Sequence, residues 1–268
     1  MKVYFFFVLC IFGLSLATPN VRGQENYEIQ VYGSETVPAG ETMVELHSNF
    51  TVSGSKAVDE YGVLPTEHAW HETVEITHGF TSWFETGFYF FTSARSGNGW
   101  HIVGSHVRPR VMVPKRWGWP VGVSLSAEFG YQRRRYSADT WTLELRPIID
   151  RGLGRWYLSF NPTLEKALHG PNARRGFEFS PNAKISYDLI KEVAIGVEYY
   201  GSMGPLFEFD PLRDQQQQFF GVADLNVSPR WELNFGVGIG ATSSTDHLLI
   251  KAIIGRRFKS KRGSSQGD

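Results

Sequence analysis

The sequence predicts an all-β protein, specifically a transmembrane antiparallel up-and-down β-barrel of about 12 strands. Apolar and polar residues alternate in one segment after another, most of these segments are about ten to twelve residues long, and short connections alternate with longer ones. Strands of soluble proteins average about five or six residues, whereas a tilted strand needs about nine to eleven to cross a bilayer. Strand length therefore favours a membrane barrel over a soluble periplasmic sandwich, which is the alternative fold.

Composition supports an ordered chain and excludes other classes of protein. The 268 residues include 27 basic and 27 acidic side chains and one cysteine, and 15% are aromatic. This aromatic content with few charges argues against disorder, and the balanced charge gives no support for nucleic-acid binding. Membrane-spanning helices need about 18 or more apolar residues in a row. The longest apolar run is Val3–Ala17, so a helical membrane protein is excluded.

The N-terminus has the features of a secretory signal peptide, expected at residues 1–23. Lys2 supplies the positive start, Val3–Ala17 the apolar segment, and Gly23 a small residue for cleavage. An uncleaved anchor helix is the alternative. Cys10 lies inside the apolar segment without the small residue expected before a lipidated cysteine, so the exported chain would contain neither a lipid anchor nor a disulfide.

Three further regions are expected after the signal peptide. Residues 24–41 would form an N-terminal periplasmic segment, residues 42–258 the outer-membrane barrel, and residues 259–268 a polar C-terminal tail. The sequence does not tell whether residues 24–41 enter the barrel.

The alternation of residues locates the individual strands. In the clearest segment, Leu125 and Phe129 lie on an apolar face, and Ser124, Ser126 and Glu128 lie on the opposite face. The same pattern recurs along the chain. It predicts strands at residues 42–52, 67–77, 83–92, 101–113, 120–131, 140–149, 155–164, 176–186, 192–200, 217–226, 231–240 and 247–258.

Connections and tryptophans provide two further signals. Short turns are expected at residues 78–82, 114–119, 150–154, 187–191 and 227–230, and mostly longer loops at 53–66, 93–100, 132–139, 165–175, 201–216 and 241–246. Outer-membrane barrels have this asymmetry, with short periplasmic turns and longer extracellular loops. All eight tryptophans lie near predicted strand starts, as expected for two girdles at the levels of the lipid headgroups.

The C-terminal strand resembles the assembly signal of bacterial outer-membrane barrels. Ile250, Ile254 and Phe258 fall on its outward face, and Lys251 and Arg257 on the other. Many such proteins end on the aromatic residue, whereas here a polar tail follows Phe258. We therefore expect outer-membrane lipid and the barrel-assembly machinery as partners, and the outer membrane of a Gram-negative bacterium as the location.

One hairpin carries a closer resemblance. Residues 70–87 consist of a strand, a Gly79-Phe80-Thr81 turn and a second strand containing Glu85 and Gly87. This hairpin resembles one that recurs in uncharacterised barrels akin to the phenol meta-pathway outer-membrane family. The resemblance covers about twenty residues and implies the barrel fold, but no ligand site.

Strand phase predicts which charged side chains line the lumen. Acidic groups are concentrated on the first three strands, and the fourth presents a row of basic groups. The inward candidates are Glu45, His47, Glu75, Glu85, His106, Arg108, Arg110, Glu128, Glu144, Arg146, Glu178, Lys184, Glu198, Asp224, Glu232, Lys251 and Arg257. The expected selectivity elements are His106, Arg108, Arg110 and Arg146, opposed by Glu45, Glu75 and Glu85.

Two functions are compatible with such a lumen. The first is a passive, porin-like channel for a small solute, in which opposed charges orient polar molecules. The second is a non-conducting structural or surface-interaction barrel whose lumen is plugged by ion pairs. Barrel size leaves both open, because about eight strands leave an interior that side chains fill and sixteen to eighteen leave an aqueous channel.

Catalysis and metal binding have little support in the sequence. Some barrel lipases use a serine and a histidine, but adjacent His47 and Ser48 would point to opposite faces of a strand, so no enzyme is predicted. His68 and His71 are three residues apart and also point to opposite faces, and the other histidines are scattered. We therefore predict neither a cofactor nor a metal.

Overall fold

Twelve strands pair in chain order to form a closed antiparallel barrel, with β1 also paired to β12. This computed structural model describes residues 26–259, so the expected signal peptide and the tail beyond Lys259 lie outside the described residues. The predicted fold class is confirmed. The strands are β1 (Glu41–Ser53), β2 (Trp70–Gly79), β3 (Phe84–Arg95), β4 (Gly99–Met112), β5 (Gly122–Gln132), β6 (Trp141–Leu153), β7 (Trp156–His169), β8 (Glu178–Ile190), β9 (Val193–Ser202), β10 (Gln216–Leu225), β11 (Trp231–Gly240) and β12 (Leu248–Lys259).

The two faces of the strands differ as the alternation predicts. On β5, Leu125 and Phe129 are exposed on the outside, whereas Ser124, Ser126 and Glu128 are buried on the inside. All eight tryptophans are among the exposed side chains. An apolar outer surface bounded by aromatic residues is the surface that contacts lipid in outer-membrane barrels. Fold and surface together agree with an outer-membrane location.

No helix within residues 26–259 is long and apolar enough to cross a membrane.

The connection between β3 and β4 is shorter than predicted. A loop was expected at residues 93–100, but β3 and β4 stay paired as far as Arg95 and Gly99, so only residues 96–98 connect them. Gly97 and Gly99 have φ of 82° and 66°, which permits this tight turn. The other connections at this end, hereafter the long-loop end, run from seven to sixteen residues, at 54–69, 133–140, 170–177, 203–215 and 241–247.

The chain that precedes β1 lies inside the barrel. The lumen segment, residues 26–40, runs from Asn26 at the long-loop end, beside Asp246, to Gly40 at the opposite, short-turn end, where its amide donates to Gly79. Tyr27 and Ile29 of this segment are buried. The structure thus places residues 26–40 of the expected periplasmic segment inside the barrel, a position that the sequence left open. The alternation in this segment is too short to distinguish the lumen from the periplasm.

Candidate functional site

Polar side chains of the barrel wall bond to the backbone of the lumen segment along its whole length. Asn161 accepts from the Tyr32 amide at 2.9 Å and donates to the Tyr32 carbonyl at 3.1 Å, in the manner of a neighbouring strand. Without such partners a backbone inside the lumen would be costly. Further donors to segment carbonyls are Asn49 to Asn26, Thr73 to Tyr27, Lys251 to Ile29, Ser159 to Tyr32, and Arg110 to Gly33 and Glu35.

Apolar contacts fix the half of the segment nearest the long loops. Ile29 and Val31 pack in a cluster with the inward-facing Phe220 and Leu249. A second cluster joins Tyr27 to inward side chains of β3 and β4, including Phe91. Burial of such side chains contributes about 1.5–3 kcal/mol each. The lumen is thus partly filled by a dry protein core.

Tyr32 lies at the centre of the lumen among three arginines. The guanidinium carbons of Arg108, Arg146 and Arg110 are 4.5, 4.9 and 5.8 Å from the centroid of its ring. Its hydroxyl lies 3.2 Å from the hydroxyl of Tyr89 and donates to Glu28 of the same segment. Cation–π attraction and hydrogen bonds therefore both hold the middle of the segment.

The charges expected to oppose one another across an open bore instead form close pairs. Arg108 bonds to Glu75 at 2.6 Å, and Arg110 bonds to Glu85 at 2.7 Å. The second pair follows from strand register, because Glu85 lies directly opposite Arg110 in the β3–β4 pairing, whereas Arg108 lies opposite Gly87 of β3 and contacts Glu75 on β2, the strand beyond it. Both pairs are almost completely buried.

Several of the remaining candidates on the inner wall pair with one another, whereas Glu178 contacts Arg175 and Arg257 contacts Glu41. Arg146 makes a bidentate contact with Glu144, at 2.7 and 2.9 Å. Lys184 contacts Glu198 at 3.0 Å and Asp224 at 2.8 Å. The other close contacts are His106 with Glu128 and Lys251 with Glu198. His47 and Glu45 are buried next to Glu75.

A cavity remains on the side of the lumen that the segment does not fill. It has a volume of about 230 Å³ and is lined by Glu28 and Gln30 of the segment, by loop residues near Tyr61 and Tyr136 at the long-loop end, and by the inner face of β5 to β9. Charged groups of both signs face it, among them Arg146. This cavity, the vestibule, is the space in which a polar solute entering from the long-loop end would first meet the protein.

Sequence reasoning did not identify the segment residues that occupy the lumen. Tyr27, Ile29 and Val31 form a short apolar row immediately before the first strand, which could have indicated a buried segment. Tyr32 directly follows this row. Ser48 lies on the outer face and donates to Glu72, while His47 is buried inside, so the two do not form a catalytic pair.

The fold is similar to the folds of solved outer-membrane channels and porins. An outer-membrane channel from Pseudomonas putida F1 has a TM-score of 0.55 at 12% identity, over 86% of this chain and 100% of that one. The NanC porin has a TM-score of 0.52 at 7% identity, over 81% of this chain and 100% of its own, and the KdgM porin 0.50 at 10%, over 81% and 99%.

No protein-family model and no curated protein matches the chain. The structural similarity, at such low identity, establishes the fold. The resemblance of residues 70–87 to the phenol meta-pathway family stays a prediction.

Proposed function

We propose that the protein is a passive, porin-like outer-membrane channel for small polar solutes, and that the lumen segment is the plug that determines how far the channel is open. The observation that carries this proposal is the position of residues 26–40, which lie within a barrel of twelve strands. The vestibule provides an entrance lined by both signs of charge. The plug then blocks the path from the vestibule to the short-turn end.

The contacts of the plug are of a kind that can be released. They are hydrogen bonds from wall side chains to its backbone, together with contacts to buried side chains, and the described part is joined covalently to the wall only through β1. Each hydrogen bond contributes a net of about 0.5–1.5 kcal/mol, because water replaces it upon release. A plug held in this way would leave the lumen wall intact when it withdraws.

A second candidate function is a non-conducting structural or surface-interaction barrel. The pairing of the inward charges favours it, since Arg108, Arg110 and Arg146 each contact a carboxylate directly. In this case the wall would remain closed by its ion pairs even without the plug.

Conductance in planar bilayers distinguishes the two functions. The full chain is compared with a variant in which residues 26–40 are replaced by a Gly/Ser segment of equal length, which keeps the spacing but removes the side chains. We expect rare or small current steps for the full chain and frequent, larger ones for the variant. If both proteins insert in folded form and neither conducts, the barrel is non-conducting. Heat-dependent mobility in gels establishes that each variant is folded.

A disulfide lock tests the plug without removing it. A methyl group placed on Gly122 would lie 3.2 Å from Cβ of Ser34, slightly less than the roughly 3.5–4.5 Å between the Cβ atoms of a disulfide, and the adjacent Asp150 carboxylate would have to move aside. We expect the double variant Ser34→Cys with Gly122→Cys to show the rare or small current steps of the full chain after reduction and to lose them upon oxidation. The two single variants serve as controls and should not respond to oxidation. An oxidised double variant that conducts as before would contradict a plug that moves at this point.

A further inference from the structure

We propose that Glu45, His47 and Glu75, together with Glu232, form a binding site for a divalent transition-metal cation, with zinc as the representative ion. The site lies on the inner wall, on β1, β2 and β11. It is independent of whether the barrel conducts, because it depends on wall residues alone.

Strand register brings the donors together. Glu45 and Glu75 are direct partners in the β1–β2 pairing, and His47 is two positions further along the same face of β1. One donor atom from each of the three lies within 4.8 Å of the other two. Ligands of a zinc ion lie about 2.0–2.2 Å from the metal, so small side-chain rotations would bring these atoms onto one ion.

Gly255 makes room for the fourth side chain. In the pairing of β12 with its two neighbours, Gly255 lies opposite both Glu45 and Glu232. A methyl group at this position would lie 2.8 Å from Cγ of Glu45 and 3.1 Å from Cβ of Glu232. Because glycine has no side chain, the two carboxylate side chains lie next to each other over it. Glu232 also accepts a hydrogen bond of 2.9 Å from Gln30 of the plug.

Some polar atoms of this cluster are buried without a partner. His47 is fully buried, and Nδ1 of its ring makes no hydrogen bond to another residue within 26–259. Its Nε2 lies 3.4 Å from Oε2 of Glu75 and pairs with that carboxylate. Oε1 of Glu45 has no hydrogen-bond partner in the same part of the chain. Buried polar atoms are nearly always satisfied, and an ion that is not part of the chain is one way to satisfy them.

The balance of charge also indicates a divalent cation. Arg108 bonds to Oε1 of Glu75 and leaves Oε2 directed towards His47. Glu45 and Glu232 have no ion pair with a basic residue in the described part of the chain. Three carboxylates and one guanidinium leave two negative charges at this site, one on the buried Glu45 and one on the solvent-exposed Glu232. A divalent ion would neutralise both.

The donor types select the class of metal. Calcium and magnesium prefer oxygen donors throughout, whereas an imidazole nitrogen combined with carboxylates suits zinc and its neighbours in the first transition row. In the apo form, the alternative is that Glu45 and Glu232 share a proton. Metal binding would have to displace that proton, so uptake at neutral pH tests the proposal directly.

The experiment measures zinc retained by the untagged full chain. The protein is folded into detergent in the presence of zinc, which removes any problem of access beneath the plug, then dialysed and analysed for metal. We expect one zinc per chain, and a tetrahedral or five-coordinate absorption spectrum when cobalt replaces it. His47→Gln and Glu45→Gln should lower the affinity by more than the roughly 10–100-fold typical of losing an outer-shell partner.

His71→Gln is the matched control. His71 is also buried on the inner wall, and its ring nitrogens also lack hydrogen-bond partners among residues 26–259, but it is not part of the carboxylate cluster. The His71→Gln variant should retain as much zinc as the wild-type protein. If the wild-type protein retains no zinc, or if His47→Gln retains as much as His71→Gln, the site does not exist. Should a variant fail to fold, the cobalt spectrum of the wild-type protein still decides. A wild-type protein that gives no tetrahedral or five-coordinate spectrum would overturn the proposal.

Discussion

The guanidinium of Arg108 lies 4.5 Å from the ring centroid of Tyr32 and donates at the same time to Glu75. One arginine of the wall thus contacts both the plug and an acidic side chain on β2. Because the same guanidinium makes a hydrogen bond to the Glu75 carboxylate and a cation–π contact with the Tyr32 ring, removing either partner should change the interaction of Arg108 with the other.

Replacing Tyr32 by alanine should favour the open form of the channel. The change removes the ring from three guanidinium groups, and a cation–π contact at a desolvated site contributes about 0.5–2 kcal/mol. A loss of about 2 kcal/mol would raise the ratio of open to closed states roughly 30-fold. Single-channel recording measures the open probability. Tyr32→Phe keeps the ring but loses the contacts of the hydroxyl with Glu28 and Tyr89. It should therefore raise the open probability less than Tyr32→Ala, and equal effects of the two variants would contradict the cation–π explanation.

Arg108→Ala should destabilise the barrel strongly. The variant leaves Glu75 with no arginine and Glu85 with Arg110 alone, and breaking a buried pair in this way costs about 3–5 kcal/mol. Urea unfolding in detergent, followed by tryptophan fluorescence, measures the change. Lys115→Ala removes the exposed contact with Glu35 and should have little effect. A similar small effect for Arg108→Ala would indicate that the interior is wetter than described.

Gly130→Ala should displace the ring of His106. A methyl group on Gly130 would lie 1.7 Å from Cδ2 of that ring, which packs directly over the glycine. Overpacking of this kind costs about 1–3 kcal/mol. Unfolding midpoints measure the loss. Gly221→Ala is the matched control, because nothing lies within 4 Å of a methyl group there. Equal unfolding midpoints for Gly130→Ala and Gly221→Ala would contradict the close packing of the His106 ring over Gly130.

Asp246→Ala should weaken the contacts of the plug at the long-loop end. Its carboxylate accepts from Asn26 at 2.6 Å and also from Thr66 and the amide of Ser55 in the β1–β2 loop. Leaving these donors without an acceptor costs about 1–3 kcal/mol for each buried group. Hydrogen exchange of residues 26–30 and 54–66 should accelerate in the variant. Glu208→Ala, in an exposed part of another loop, should leave these rates unchanged.

The orientation of the wall residues could be predicted from the sequence, but their neighbours could not. Leu125 and Ser126 differ in polarity because one faces lipid and the other the lumen, and this contrast repeats every second residue. The partnership of Glu45 with Glu75 depends on the register between β1 and β2. A one-residue change in a strand end would alter that register, and strand ends are not resolved by alternation.

The plug is the larger omission, and its cause is physical. Tyr27, Ile29 and Val31 are buried, whereas Glu28 and Gln30 between them face the vestibule. This alternation covers only five residues and does not distinguish a segment inside the lumen from a strand of the wall. The proximity of Glu45, His47 and Glu75 was not predicted for a related reason, since the predicted inward positions contained these residues but not their distances.

The pairing of β1 with β12 around residues 26–40 also constrains biogenesis. Glu41, the residue that follows the plug, is already paired with Lys259 at the end of the last strand. Either β1 and β12 pair while the plug is already inside the barrel, or the plug enters through one end after the barrel has closed. In the first case, the plug would act as a template on which the last hairpins assemble.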